Sequence, residues 1–279
     1  MIEDLSVVLC GTGTSSGIPI IGCRCAVCSS EDPRDRRTRC GACIRFRDAG
    51  GRPRMILLDC PPDHREHALR LGLDRCDTIL LTHAHVDHVF GLDDVRRYNA
   101  VQRSSIELLA EPETMEAVER MFRHVFRAHE NINPSFVAQI QPGPLAPGLP
   151  VDRFGLRFEP IRLLHGRLPI LGFRIEALDG EARVAEIQPP PFPLAYCTDV
   201  SAIPPETWPR LQGLRTLVLD LLRPRSHPTH FTVDQAVEAA SRIEAERTWF
   251  LHMSHEIRHA ELDPTLPAGM RLAWDGVRL

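Results

Sequence analysis

The run Leu80-Leu81-Thr82-His83-Ala84-His85-Val86-Asp87-His88-Val89 places four side chains able to bind metal within six residues, at the end of an apolar stretch. His83 and His85 are two residues apart, so on an extended segment they point the same way. Adjacent Asp87 and His88 reach a second point only if the backbone turns. The spacing therefore suggests two metals side by side. Without metal, groups packed this closely would repel one another or lie idle.

Three more candidate ligands stand where short apolar runs end: His165 after Ile161 to Leu164, Asp199 after Ala195 to Thr198, and His252 after Trp249 to Leu251. Loop ends along one edge of a sheet can converge on a single point. Upstream, Cys23, Cys25 and Cys28 offer three thiolates within six residues, and zinc in a closed structural site takes four ligands from Cys and His. His255 is a candidate for the fourth, because it lies three residues beyond His252 and can face a different centre.

Composition narrows the setting. The chain has 279 residues, 43% hydrophobic and 25% charged, which is ordinary for a globular protein with a full core. A net charge of -4 provides no global basic field, which argues against bulk electrostatic binding of nucleic acid. Arg34, Arg36, Arg37 and Arg39 still cluster, as a local patch or as contacts to a phosphate. No segment approaches the roughly 18 to 20 apolar residues of a membrane span, and the start lacks a signal-peptide pattern. A cytoplasmic location is expected, and a homodimer is left open. The nine cysteines are an odd number. Cys10, Cys60, Cys76 and Cys197 lie in or beside apolar runs and read as buried reduced thiols.

Strands are expected at Leu5 to Cys10, Cys43 to Phe46, Met55 to Leu58, Thr78 to Leu81, Ile106 to Leu109, Leu156 to Leu163, Leu171 to Ala177, Leu194 to Cys197, Leu217 to Leu221 and Thr248 to Leu251. Helices are expected at Asp63 to Leu71, Val89 to Val101, Pro112 to Ala128, Pro205 to Leu211 and Val233 to Ala245. The glycine-rich turn from Gly11 to Gly17 lacks the Gly-Lys-Ser/Thr of a phosphate loop, so its glycines are read as letting backbone pass close to the site. Hairpins dominate the first part and strand-helix alternation the second, with no linker between them. One α/β domain over residues 1–279 fits this pattern.

The His83-x-His85-x-Asp87-His88 pattern resembles the signature of the metallo-β-lactamase superfamily, which implies a four-layer αββα sandwich. The resemblance assigns His83, His85 and His165 to one metal, Asp87, His88 and His252 to the other, and Asp199 as their bridge. Asp59 matches an early aspartate that supports the histidine loop without binding metal, a role that fixes a ligand's tautomer. Gly11-Thr12-Gly13, the cysteine group, His252-x-Ser254-His255 and the closing Trp274-Asp275-Gly276 narrow this to the PhnP-type phosphodiesterases, which process cyclic phosphates. There Cys23, Cys25, Cys28 and His255 would form a structural zinc site, and His230 matches a catalytic histidine. Cys43 and Cys60, where small non-thiol residues are expected, depart from the pattern, as does the basic stretch Arg120 to Glu130, which could cap the site. His227 has no assigned counterpart.

The resemblance thus implies hydrolysis of a small, cyclic or linear, phosphodiester, with two divalent ions (manganese or zinc) in the active site and one structural zinc. Asp87 would contribute to catalysis, and His230 would protonate the departing alkoxide, with the unperturbed pKa of about 6.5 that suits a histidine for this task. Two alternatives remain: a tRNA 3'-end endoribonuclease, for which no long substrate-clamping insertion is seen, and a non-catalytic binding protein like the PqqB group, which has a similar early cysteine cluster.

Overall fold

The computed structural model describes residues 2–133 and 135–279. Its strands, in chain order, are β1 (Glu3–Gly11), β2 (Gly41–Arg47), β3 (Pro53–Leu58), β4 (Thr78–Leu80), β5 (Ile106–Ala110), β6 (Ile140–Pro144), β7 (Val151–Arg153), β8 (Leu156–His165), β9 (Leu168–Ala177), β10 (Leu194–Cys197), β11 (Thr216–Asp220), β12 (Arg247–Leu251), β13 (Met270–Leu272) and β14 (Val277–Arg278). They form two seven-stranded sheets, ordered β14-β1-β2-β3-β4-β5-β6 and β13-β12-β11-β10-β9-β8-β7. Each sheet is antiparallel in one half and parallel in the other.

The strands read as continuous apolar runs because both faces are buried. On β1 to β3, Val7, Leu9, Ile44, Ile56 and Leu58 point inward and pack against Phe158, Phe173, Tyr196 and Val218 of the second sheet. Their neighbours Val8, Cys43, Met55 and Leu57 face outward, onto the side covered by helices His64–Leu71, Arg96–Gln102 and Pro112–Met121. Ala236, Ala239, Ala240 and Ile243 of helix Val233–Ile243 cover the second sheet's outer face. A Thr232/Gln235 capping box starts that helix. These layers make the αββα sandwich. Cys43 and Cys60 are fully buried in the first outer core, so their thiols serve packing there.

Several elements depart from the sequence expectation. The helix expected from Val89 to Val101 is three pieces, Val86–Val89, a 3-10 turn Phe90–Asp93 and Arg96–Gln102. Gly91 N–H bonds to Cys60 O, and a Cβ on Gly91 would stand 2.3 Å from Pro61 O, so the chain is drawn against the preceding loop here. The helix expected over Pro112 to Ala128 breaks at Phe122, which turns inward and packs edge-on to Phe90 at 5.8 Å. Pro205 to Leu211 reduces to the 3-10 turn Trp208–Leu211, where Pro209 removes a helix donor. Strands β6, β7, β13 and β14 carry no clear sequence pattern. β6 contains Pro142 and Pro144, which a sheet tolerates at its edge.

Candidate metal centre

The site lies where strands of both sheets end, the region in which parallel sheets commonly place ligands. Asp59 follows β3, His83 to His88 follow β4, His165 closes β8, Asp199 follows β10, Asp220 closes β11 and His252 follows β12. Asp59, Asp199 and His252 all adopt left-handed backbone, with φ of 60°, 59° and 63°. That conformation is uncommon outside glycine and costs about 1–3 kcal/mol per residue. It turns each side chain back across the strand end.

His83, His85 and His165 bring one ligand atom each to within 4.8 Å of one another, and Asp87, His88, Asp199 and His252 form a second such group. Asp199 stands between them. One of its oxygens is 3.2 Å from His88 Nε2, the other is 3.2 Å from His252 Nε2, and it also groups with His165 and His230. The Nε2 atoms of His83, His88 and His252 are buried yet make no hydrogen bond of acceptable geometry. Buried polar nitrogens left this way, aimed at common points beside carboxylates, fit divalent metals.

The opposite edge of each ring is held. Thr82 donates its hydroxyl to Asp59 (2.9 Å) and accepts from His83 Nδ1 at 2.9 Å, while Asp59 accepts from His88 Nδ1 at 2.7 Å. His165 Nδ1 donates to the Thr229 carbonyl at 2.8 Å. In all three the proton sits on Nδ1 and the Nε2 lone pair is free to bind metal. Burial drives the pKa of His83 down, favouring its neutral form. Burial alone would raise Asp87 and Asp199, but His252 and His88, which these carboxylates in turn favour in their protonated forms, hold both below the usual carboxylate range; a divalent cation bound there would take the place of those protons.

His230 stands behind this group, its ring 4.6 Å from that of His165 and 4.5 Å from that of His252. Its Nδ1 is 3.1 Å from Asp220, whose other oxygen accepts the Phe231 N–H. Asp220 was not among the sequence candidates. A buried carboxylate inside the run Val218-Leu219-Asp220-Leu221-Leu222 was the available signal. His227 lies 5.1 Å from His230. In the Arg120 to Glu130 stretch, His124 pairs with Asp93 at 3.1 Å and Phe122 packs on Phe90, so it leans on the segment that follows His88.

A second cluster sits nearby. His255 Nδ1 is 3.3, 3.6 and 3.7 Å from the sulfurs of Cys23, Cys25 and Cys28. Tetrahedral zinc with ordinary bond lengths separates nitrogen from sulfur by about 3.5 Å. The Cys28 amide pulls the Cys25 thiol down to about 7, towards the thiolate that zinc takes. The loop shared by the two centres is pinned by Arg37, which is fully buried and not a surface or phosphate-binding residue. It pairs with Asp35 (2.9 Å) and donates to the carbonyls of Ser254 (3.2 Å), Ile257 (2.9 Å) and Arg34 (3.1 Å). Gly13 permits the close pass of the glycine-rich turn, since a Cβ there would lie 2.7 Å from Arg37 O.

Comparison with known proteins places this architecture. Residues 54–253 match the model of the Beta-lactamase superfamily domain. The octanoyltransferase of Porphyromonas gingivalis is 36% identical over 272 residues, a match covering 97% of this chain and 50% of that protein. The chain spans about half the length of the curated relatives it matches. Among solved structures, a diphosphatase from the PhnP family superposes with a TM-score of 0.84 at 36% identity, covering 100% of this chain and 98% of the other. Zinc-bound PqqB from Methylobacterium extorquens shares the fold at 20% identity, with a TM-score of 0.73 and coverage of 98% and 99%. From the family match and the 36% identity sustained over the whole length of the diphosphatase, the chain belongs to the metallo-β-lactamase superfamily and, within it, to the PhnP family.

Proposed function

We propose that this chain is a metal-dependent phosphodiesterase acting on a small, cyclic or linear, diester. The observation that carries the reading is the convergence of seven ligand side chains in two groups joined by Asp199, with His230 beside them and not needed by either group. His83, His85 and His165 would hold one divalent ion, Asp87, His88 and His252 the other, and Asp199 would touch both. When bound, such a pair supplies Lewis acidity towards a phosphoryl group and acidifies a coordinated water.

The protein's own residues do the rest. Asp59 and Thr82 keep His88 and His83 in one tautomer, so the ligand nitrogens need no rearrangement. His230 offers its Nε2 proton to the departing oxygen, and Asp220 holds the ring by Nδ1. Cys23, Cys25, Cys28 and His255 would hold a structural zinc that fixes the loop carrying His252. The likeness to a PhnP-family diphosphatase supports a phosphoryl substrate, because a diphosphatase cleaves a phosphorus–oxygen bond on the same fold. A set of imidazoles and carboxylates admits either manganese or zinc.

The test is metal content measured together with turnover of bis(p-nitrophenyl) phosphate. Asp199→Ala removes the shared ligand, so activity should collapse along with occupancy at one or both positions. Undiminished turnover by metal-depleted protein would end this reading. Cleavage of a precursor tRNA in preference to small diesters would favour an endoribonuclease, and tight metal binding without turnover of any ester would favour a binding protein.

A further inference from the structure

We propose that His227 contacts the substrate directly, donating a hydrogen bond from Nε2 to a non-bridging oxygen of the phosphoryl group. The inference rests on the phosphodiesterase reading above. His227 lies in the turn His227-Pro228-Thr229-His230, and its half-buried ring is 5.1 Å from that of His230, tilted by 44°. His230 in turn packs on His165 and His252. The four imidazoles thus run from the candidate metal ligands out to His227, the more exposed ring of the His227–His230 pair.

The donor is set by the backbone. His227 Nδ1 lies 3.4 Å from the Thr229 amide nitrogen and 3.1 Å from the Thr229 hydroxyl. An amide N–H can only donate, so Nδ1 accepts and a neutral ring carries its proton on Nε2. Burial, reinforced by the nearby His230 and Arg223, lowers the pKa of this ring and favours that neutral form. Position is fixed as well, since the Thr229 carbonyl accepts from His165 Nδ1 at 2.8 Å. A candidate metal ligand and His227 are therefore anchored through the same residue.

Several cations near the site are already paired. The sequence contains no lysine. Arg34 pairs with Asp32, Arg37 with Asp35 and Arg39 with Asp63. Arg223 is bound to the carbonyls of Arg225 and Ser226 and lies 3.6 Å from Glu256. A phosphodiester brings two non-bridging oxygens, and His227 sets a neutral Nε2 donor beside the general-acid candidate.

His227→Leu removes the donor at similar bulk, whereas His227→Gln retains an amide N–H. Both are compared with wild type, metal-loaded, for turnover of bis(p-nitrophenyl) phosphate and of an alkyl phosphodiester, and for binding of inorganic phosphate by calorimetry. A hydrogen bond to a charged group predicts that His227→Leu loses about 10- to 100-fold in kcat/KM. The factor should be the same for both leaving groups and similar for phosphate affinity, with two metals retained and His227→Gln recovering part of the loss. Four results would overturn the proposal: turnover and phosphate affinity within twofold of wild type, a loss confined to the alkyl ester, His227→Gln as impaired as His227→Leu, or metals missing from the leucine variant. If wild type hydrolyses no diester, the phosphodiesterase reading fails on its own account, and phosphate calorimetry alone decides the role of His227.

Discussion

Arg37→Met tests whether the loop carrying His252 and His255 depends on one buried guanidinium. Arg37 is 1% exposed, and its removal leaves the Asp35 carboxylate and the carbonyls of Arg34, Ser254 and Ile257 without their donor. Asp35 Oδ2 has no hydrogen-bond partner, and Oδ1 is left with only the His259 N–H. Breaking a buried ion pair by deleting one member costs about 3–5 kcal/mol, because a charge is left uncompensated. Unfolding entropy of about 2.1 cal/mol/K per residue, over this chain length, gives about 0.6 kcal/mol/K and hence a fall in Tm of about 5–9 °C. Scanning calorimetry measures this, and metal analysis of the same sample should show zinc lost from the thiolate centre. The double variant Asp35→Asn/Arg37→Met removes the stranded charge while an amide oxygen still accepts the His259 N–H, held at 2.8 Å. It should melt above Arg37→Met. A single variant within 2 °C of wild type, or a double variant no better than the single, would refute the reasoning.

Cys25→Ser removes one of three thiolates facing His255, so zinc content and Tm should both fall; full zinc with wild-type stability would disprove a structural role. His230→Ala should keep two active-site metals yet lose far more activity on an alkyl phosphodiester than on a p-nitrophenyl ester, whose leaving group needs little protonation, and equal losses would count against proton donation. Stability should also fall in acid. Burial pushes His67 down to about 3, so between there and the unfolded value near 6.5 the unfolded chain binds the extra proton. This contribution is complete above pH about 6.5 and drains away below it, by at most about 1.4 kcal/mol per pH unit. In urea titrations His67→Asn should lose about 2 kcal/mol less than wild type between pH 6.5 and 5, and matching slopes would contradict the assignment.

Much of the centre can be read from the chain because its markers are local. A histidine or aspartate at the end of an apolar run declares both its chemistry and its place at a strand end, and seven such residues are picked out this way. The long strands are legible for the same reason, since burial on both faces writes a continuous apolar stretch. The sequence likewise supplies the order of His83, His85, Asp87, His88, His165, Asp199 and His252, and the three closely spaced cysteines.

What folding alone decided is non-local. The left-handed backbone of Asp59, Asp199 and His252 has no sequence signature, because the surrounding contacts impose it. Asp220 acquires its meaning only when β11 sets it behind His230 and His252. Arg37 looked like one of a surface cluster until the fold closed Asp35 and the carbonyls of Ser254 and Ile257 around it. Edge strands β6 and β14 exist because a neighbour offers hydrogen bonds, whatever their own weak propensity. Residue type and local spacing fix which groups can bind a metal, whereas the backbone geometry and buried partners that aim them come from elsewhere in the chain, 29 positions away for Asp59 and His88 and 220 for Arg37 and Ile257.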